Sequence, residues 1–188
     1  MQKVGLYIGT QFPPGTDVAV ALKDMGEQVR VARESGFSSL WAPHHYLTHP
    51  MQMLAPVPML AYLLRDAEGM TIGTNILIMP LLHPVHVAED AVTLDLLSGG
   101  RYVLGIGVGY RDAEFQTFNV PLKERAQRMN ESIEIMRRLW IEDKITHNGK
   151  IFQINDLGIG LKPQRKGGPP IWLAASTTIT FSDFGAGS

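Results

Sequence analysis

The sequence predicts an α/β fold in which the strands of a parallel sheet alternate with amphipathic helices. Three observations carry this. Short apolar runs recur between longer segments whose apolar residues fall at intervals of three and four. The runs are nearly continuous in apolar character, as expected for strands covered on both faces. Glycines stand where the helices should end, ready to take the left-handed backbone that closes a helix.

Val4 to Thr10 reads as the first strand. Pro13-Pro14-Gly15 makes a loop, and Thr16 or Asp17 caps a helix with the stripe Val18, Ala21, Leu22, Met25, Val29 and Ala32, closed at Gly36. Ser38 to Pro43 is a second strand, followed by a histidine-rich loop and a helix carrying Met59, Leu60, Leu63, Leu64 and Ala67 up to Gly69. Thr71 to Met79 is the third strand. His83-Pro84 opens a third helix, with proline in the first turn where its missing N–H costs nothing, and the helix runs to Gly99-Gly100. Arg101 to Val108 is the fourth strand, and a helix from about Leu122 to Trp140 follows a long loop. Ile145 to Ile154, with Asn148-Gly149 between β-prone flanks, reads as a hairpin outside the main sheet. Ile171 to Ala174 is strand five. The count is five main strands and four helices in strict alternation, with no internal repeat and no second domain.

Composition narrows the function classes. In 188 residues, 45% are hydrophobic, ample for one core. The 17 Lys and Arg nearly balance the 18 Asp and Glu with no long run of one sign, so no nucleic-acid patch is visible. Cysteine is absent, which removes disulfides, thiolate catalysis and Cys-based zinc sites and is compatible with a cytoplasmic location. The N-terminus lacks a signal-peptide h-region, and no apolar stretch approaches a bilayer span, so no membrane association is expected.

In a sheet of this kind chemistry gathers just beyond the C-terminal ends of the strands. The candidates there are Thr10-Gln11-Phe12, His44-His45-Tyr46, Pro80 to His83, Gly107-Val108-Gly109-Tyr110 and Ala175-Ser176-Thr177-Thr178. His44 and His45 are adjacent at a strand end, so strand alternation predicts that only one faces the mouth of the site. Three readings of the pair stand together: a metal site recruiting His49, a buried histidine bonded to backbone, and a proton-handling His44. The last is preferred, because a neutral imidazole both donates and accepts near neutral pH.

Leu104-Gly105-Ile106-Gly107-Val108-Gly109 has glycine at every second position, unlike the G-x-G-x-x-G order of dinucleotide-binding turns. Glycines on one face of a strand leave room either for a flat ring or for tight interior packing. Ser176-Thr177-Thr178 offers either a phosphate cradle or an ordinary helix cap.

Together these segments resemble the bacterial luciferase-like monooxygenase family. The residues that carry the resemblance are His83-Pro84-Val85, Ala88-Glu89-Asp90, and Leu94 to Tyr102 running into Leu104 to Tyr110. Trp41 with His44-His45, Glu114-Phe115, Arg125 with Glu131, Leu139-Trp140 and Pro169 to Trp172 fall where that family has them. The resemblance implies a (β/α)₈ TIM barrel of the luciferase-like type. Residues 1–178 would be the N-terminal part of a single barrel domain, here about five βα units, and 179–188 an atypical tail. A barrel of eight strands typically takes about 250 residues, so the chain as given is expected to stop before closure. Unpaired apolar edges would then favour self-association into a homo-oligomer.

The resemblance further implies a flavin-dependent oxidoreductase acting on paired donors. Reduced flavin mononucleotide (FMN) would react with O₂ and a small organic substrate, a separate NAD(P)H flavin reductase supplying the reduced cofactor. His44 would lie near the reactive edge of the flavin. Asn75 would lie beside the ring, at a position where the family often has a cis peptide, and Gly107 along the ring face. Ala175, Ser176 and Thr177 would hold the phosphate. Some departures stand out: Pro43 precedes the histidines where an acidic residue is common, no cysteine stands near Gly107, and Val108 occupies a position where luciferase has arginine. The alternatives within the resemblance are a deazaflavin-dependent hydride transferase of the same fold and a non-catalytic flavin-binding protein.

Overall fold

Strands that are apolar on both faces need cover on both, and a parallel order needs a crossover after every strand. The computed structural model, which describes residues 3–174, supplies both. β1 (Gly5–Tyr7) is followed by a two-residue strand, β2 (Gln11–Phe12), and helix α1 (Val18–Glu34). β3 (Ser39–Ala42), short β4 (Gln52–Met53) and α2 (Pro56–Leu63) come next. β5 (Thr71–Thr74) and β6 (Leu77–Ile78) lead through a 3₁₀ turn into α3 (Pro84–Leu97). β7 (Tyr102–Gly107) precedes α4 (Asp112–Thr117) and α5 (Arg125–Ile141), and β8 (Ile145–Asn148) and β9 (Gln153–Leu157) form a hairpin before β10 (Ile171–Ala174).

The main sheet runs β1-β3-β5-β7-β10, all parallel, with the strands on this path following one another in chain order. That order is the expected succession of βα units. Among the described residues the sheet stays open, with β1 and β10 as its edges and no closed barrel. Ala175, Ser176, Thr177 and the tail 179–188 lie outside the described residues.

The stripes read from the sequence are the buried faces. In α1 the buried residues are Met25, Gly26, Val29 and Ala32, and Asp17 caps the helix by accepting the Ala19 and Val20 N–H groups at 2.9 and 3.2 Å. In α5 Met129, Ile133, Met136, Leu139 and Trp140 are buried, and the helix packs on α3, where the Trp140 indole donates to the Ala88 carbonyl. Every residue of β7 is buried, as a central strand between two helical layers should be.

Three local expectations are corrected. The third strand is not one run from Thr71 to Met79 but β5 and β6 with a break between them. Gly73 is paired with Val103 and Leu77 with Ile106, so Thr74, Asn75 and Ile76 stand opposite only Leu104 and Gly105. One extra residue is thereby inserted, and the Asn75–Ile76 peptide is cis, the feature that the resemblance implies at this position. The first strand is shorter than Val4 to Thr10, because Gln11–Phe12 turns away to pair antiparallel with Gln52–Met53. The hairpin turns over Gly149 to Phe152 rather than at Asn148-Gly149, since Asn148 is still paired with Gln153. The wider turn has a cause: the Glu131 carboxylate accepts the backbone N–H groups of Lys150, Ile151 and Phe152 at 3.0–3.3 Å.

Candidate active site

At the C-terminal ends of β1, β3, β5–β6, β7 and β10 lies a cavity of about 520 Å³. Such a volume suits a small-molecule or cofactor site. Tyr7, Ile76, Ile78, Val108 and Leu173 make its apolar walls, and Asn75, His44, His45, Tyr110 and Glu114 supply polar groups. No lysine or arginine side chain lines it among the described residues.

The break between β5 and β6 places Asn75. Its backbone N–H is held by the Ala42 carbonyl at 2.7 Å, while the hydroxyl of Thr74 bridges to Gly105 across the missing ladder bonds. Asn75 therefore sits on an anchored, outward step of the sheet rather than inside a regular strand. Gly107 ends β7 in the cavity wall, where an added Cβ would meet the Ile76 side chain at 2.8 Å. Gly105 is different in kind. A Cβ there would run into the Thr74 carbonyl oxygen, so its small size serves the packing of the sheet. Gly109, with φ +71, leaves room for Ile78 and Phe115. Of the alternating glycines, only Gly107 and Gly109 line the cavity.

His44 is 7% exposed, lines the cavity, and makes no hydrogen bond at its buried Nδ1. Burial pushes the imidazole down to about 4, against the opposing pull of Glu114, with His45 adding to the depression. It is neutral at physiological pH. The backbone-bonded histidine considered from the sequence is not what the fold builds here. Tyr46 packs edge-on against His44 at 4.3 Å between ring centroids, and burial followed by the charge of Glu114 raises its hydroxyl.

The expectation that His44 and His45 diverge, so that only one reaches the site, is also corrected. Both line the same cavity. β3 ends at Ala42, so neither residue is in a strand and the alternation rule does not govern them.

What holds the turn is Glu114, to which sequence reasoning gave no role beyond a family position. Glu114 lies on α4 with 0% exposure, and its Oε1 accepts the Tyr46 N–H at 2.9 Å. The same oxygen meets Arg111 Nη1 at 3.2 Å and His45 Nδ1 at 3.3 Å. Arg111 Nη1 also donates to the Tyr46 carbonyl at 2.9 Å. The only sequence hint was a carboxylate beside an apolar aromatic, Phe115, in a loop where an exposed charge would be expected.

His44, Asn75 and Gly107, three candidates from distant segments, thus converge on one cavity. His49 does not line it, and among the described residues no group of three or more His, Asp or Glu is arranged to hold a metal ion. No helix of the described residues is long and apolar enough to cross a membrane.

Comparison with known proteins places this geometry. A flavin-dependent trigonelline monooxygenase, oxygenase component, from Acinetobacter baylyi is 30% identical over 157 residues, covering 81% of this chain and 42% of that protein. An F420-dependent glucose-6-phosphate dehydrogenase from Amycolatopsis mediterranei is 30% identical over 190 residues, covering 95% of this chain and 53% of that one. Among solved structures, monooxygenase RslO1 from Streptomyces bottropensis superposes with a TM-score of 0.78 at 24% identity, over 94% of this chain and 54% of that one. The chain spans about half the length of the relatives it matches. The sequence pattern of the luciferase-like monooxygenases runs through residues 2–182, nearly end to end, and the chain belongs to that family.

Proposed function

We propose that this chain forms the flavin-binding part of a cytoplasmic oxidoreductase, holding reduced FMN for a reaction with O₂ and a small organic substrate. One observation carries the reading: His44, Asn75 and Gly107 meet around a single, largely apolar cavity. The residues present suit a flat ring. Gly107 offers bare backbone, Ile76, Ile78, Val108 and Leu173 offer apolar surface, and Asn75 offers an amide at the rim. A bound flavin would supply the electrons; the protein's share is to orient it and keep water away. His44, neutral and lining the cavity, is suited to hold or pass a proton there. Ala175, Ser176 and Thr177 are the proposed phosphate loop. A separate NAD(P)H-dependent reductase would provide the reduced flavin, in keeping with a relative named as an oxygenase component.

The relative named as F420-dependent favours a second reading, hydride transfer with a deazaflavin in the same cavity. Fluorescence titration with FMN, riboflavin and a deazaflavin separates the two. The proposal expects FMN to bind more tightly than riboflavin, since each charge-assisted bond to a phosphate contributes roughly 1.5–3 kcal/mol. Equal affinity for FMN and riboflavin removes the phosphate loop. Tight deazaflavin binding with substrate oxidation but no O₂ consumption establishes the second reading.

A further inference from the structure

We infer that Glu114 and His45 form a carboxylate–imidazole dyad that makes His45 Nε2 a second proton acceptor at the cavity, beside His44, with Glu114 the positioning residue. This rests on the proposed function for its chemistry, but not for its geometry.

Glu114 Oε1 accepts the Tyr46 N–H at 2.9 Å and an Arg111 N–H at 3.2 Å, so it presents lone pairs to its surroundings. His45 Nδ1 stands 3.3 Å from the same oxygen. Facing an acceptor, Nδ1 must carry the proton, because two lone pairs at that distance repel. A neutral imidazole has one N–H, so Nε2 is bare. The His45 side chain is partly open and lines the cavity, whereas Glu114 is fully buried on α4 and held against Arg111. The acceptor nitrogen thus belongs to a ring that lines the cavity and is backed by a carboxylate shielded from solvent.

Proton accounting is simple. A proton leaving an O–H or N–H of a molecule in the cavity goes to His45 Nε2, and the electron pair of the broken bond stays on that molecule. The imidazolium so formed keeps its Nδ1–H on Glu114, and the Nε2 proton later returns to the cavity. His44, by contrast, is held to the neutral form by burial. The charged and titratable groups beside the dyad are His44 and Tyr46 on the turn, Tyr110 edge-on to His45, and Arg111 on the approach to α4.

Ring ¹⁵N shifts of His45 in the labelled chain, at a pH where the ring is neutral, read the tautomer without any cofactor. The dyad expects protonated Nδ1 and bare Nε2 in the unmodified protein; the opposite tautomer overturns it. Glu114→Met keeps the length and removes the acceptor, and should swing His45 to the Nε2–H form; an unchanged tautomer there also overturns it. Should that variant fail to fold, the unmodified spectrum still decides. Glu131→Gln alters a carboxylate outside the cavity and should leave the His45 signals in place. In turnover of reduced FMN with O₂, Glu114→Gln should lower kcat roughly tenfold at a nearly constant KM, and an unchanged kcat removes the positioning role. Absence of turnover in the unmodified protein counts against the flavin reading alone, because the ring spectra do not depend on it.

Discussion

The hydroxyl of Thr74 exchanges two hydrogen bonds with Gly105, accepting the Gly105 N–H at 3.0 Å and donating to the Gly105 carbonyl at 2.7 Å. Both groups are buried, and the pair spans the gap where β5 parts from β7. The side chain thus replaces ladder bonds that the extra residue at Asn75 prevents. Thr74→Val keeps the shape and strands two buried backbone groups, each costing about 1–3 kcal/mol. Thr74→Ser should recover most of the loss. Denaturant unfolding with an unchanged m-value checks it, and a Val variant as stable as the original rules out the bridging role.

The βα order was readable because its signals are local. The α1 stripe and Asp17 cap occupy one short segment, and β10 is bounded by Pro170 before it. The break at Asn75 was not readable. Thr71 to Met79 is small or apolar apart from Asn75, and one polar residue does not mark an insertion in a run that has no alternation to disturb. Glu114 was missed for another reason. Its partners His45 and Tyr46 lie 69 and 68 residues away, and only the adjacent Phe115 hints in sequence that its carboxylate is buried. His44, Asn75 and Gly107 were found through strand ends and resemblance, which fix position along the chain but not the network around it.

The depression of His44 ties stability to pH. Its imidazole titrates at about 4 in the folded chain against 6.5 for a free one. Between those values the unfolded chain takes up a proton that the folded chain does not, so stability falls as pH drops through that window and levels off below about 4. The span corresponds to something on the order of 3 kcal/mol. His83, also lowered by burial and by His86, acts in the same direction, so the difference between proteins is the proper measure. His44→Gln should lose less in melting temperature between pH 7 and pH 4.5 than the original. Parallel losses in the two proteins would show that His44 is not the responsible group.

Glu131 anchors the hairpin turn of β8 and β9. Burial alone would raise its carboxyl, but the Phe152 and Ile151 N–H groups, with Gln127 and His147, hold it below the usual range. A depressed carboxylate stabilises the fold above its unfolded pKa, and that contribution is lost as pH falls through the folded value. Glu131→Ala should cost about 2–4 kcal/mol by leaving those N–H groups without an acceptor. Hydrogen exchange at Ile151 and Phe152 should rise with it. Unchanged protection at those two amides would mean that the turn stands without Glu131.

Gly105 and Gly107, two residues apart on β7, should respond unequally to the same substitution. A Cβ on Gly105 points at the carbonyl oxygen of Thr74, a backbone atom that cannot move without breaking the bridge above. Gly105→Ala should therefore cost about 3 kcal/mol or more, at the upper end for overpacking. A Cβ on Gly107 meets Ile76 Cδ1 at 2.8 Å and Cγ1 at 3.0 Å, the free end of a side chain that can turn aside. Gly107→Ala should fold with a loss of about 1 kcal/mol. Its effect should appear in the cavity, where both the added methyl and the displaced Ile76 occupy space a flat ring would use. A loss of about 1.4 kcal/mol there is a tenfold weaker flavin Kd. Pairing Gly107→Ala with Ile76→Val removes the clashing Cδ1, so stability should return while flavin affinity stays low. If Gly107→Ala melts as early as Gly105→Ala, or binds flavin as tightly as the original, Gly107 is a packing glycine like its neighbour.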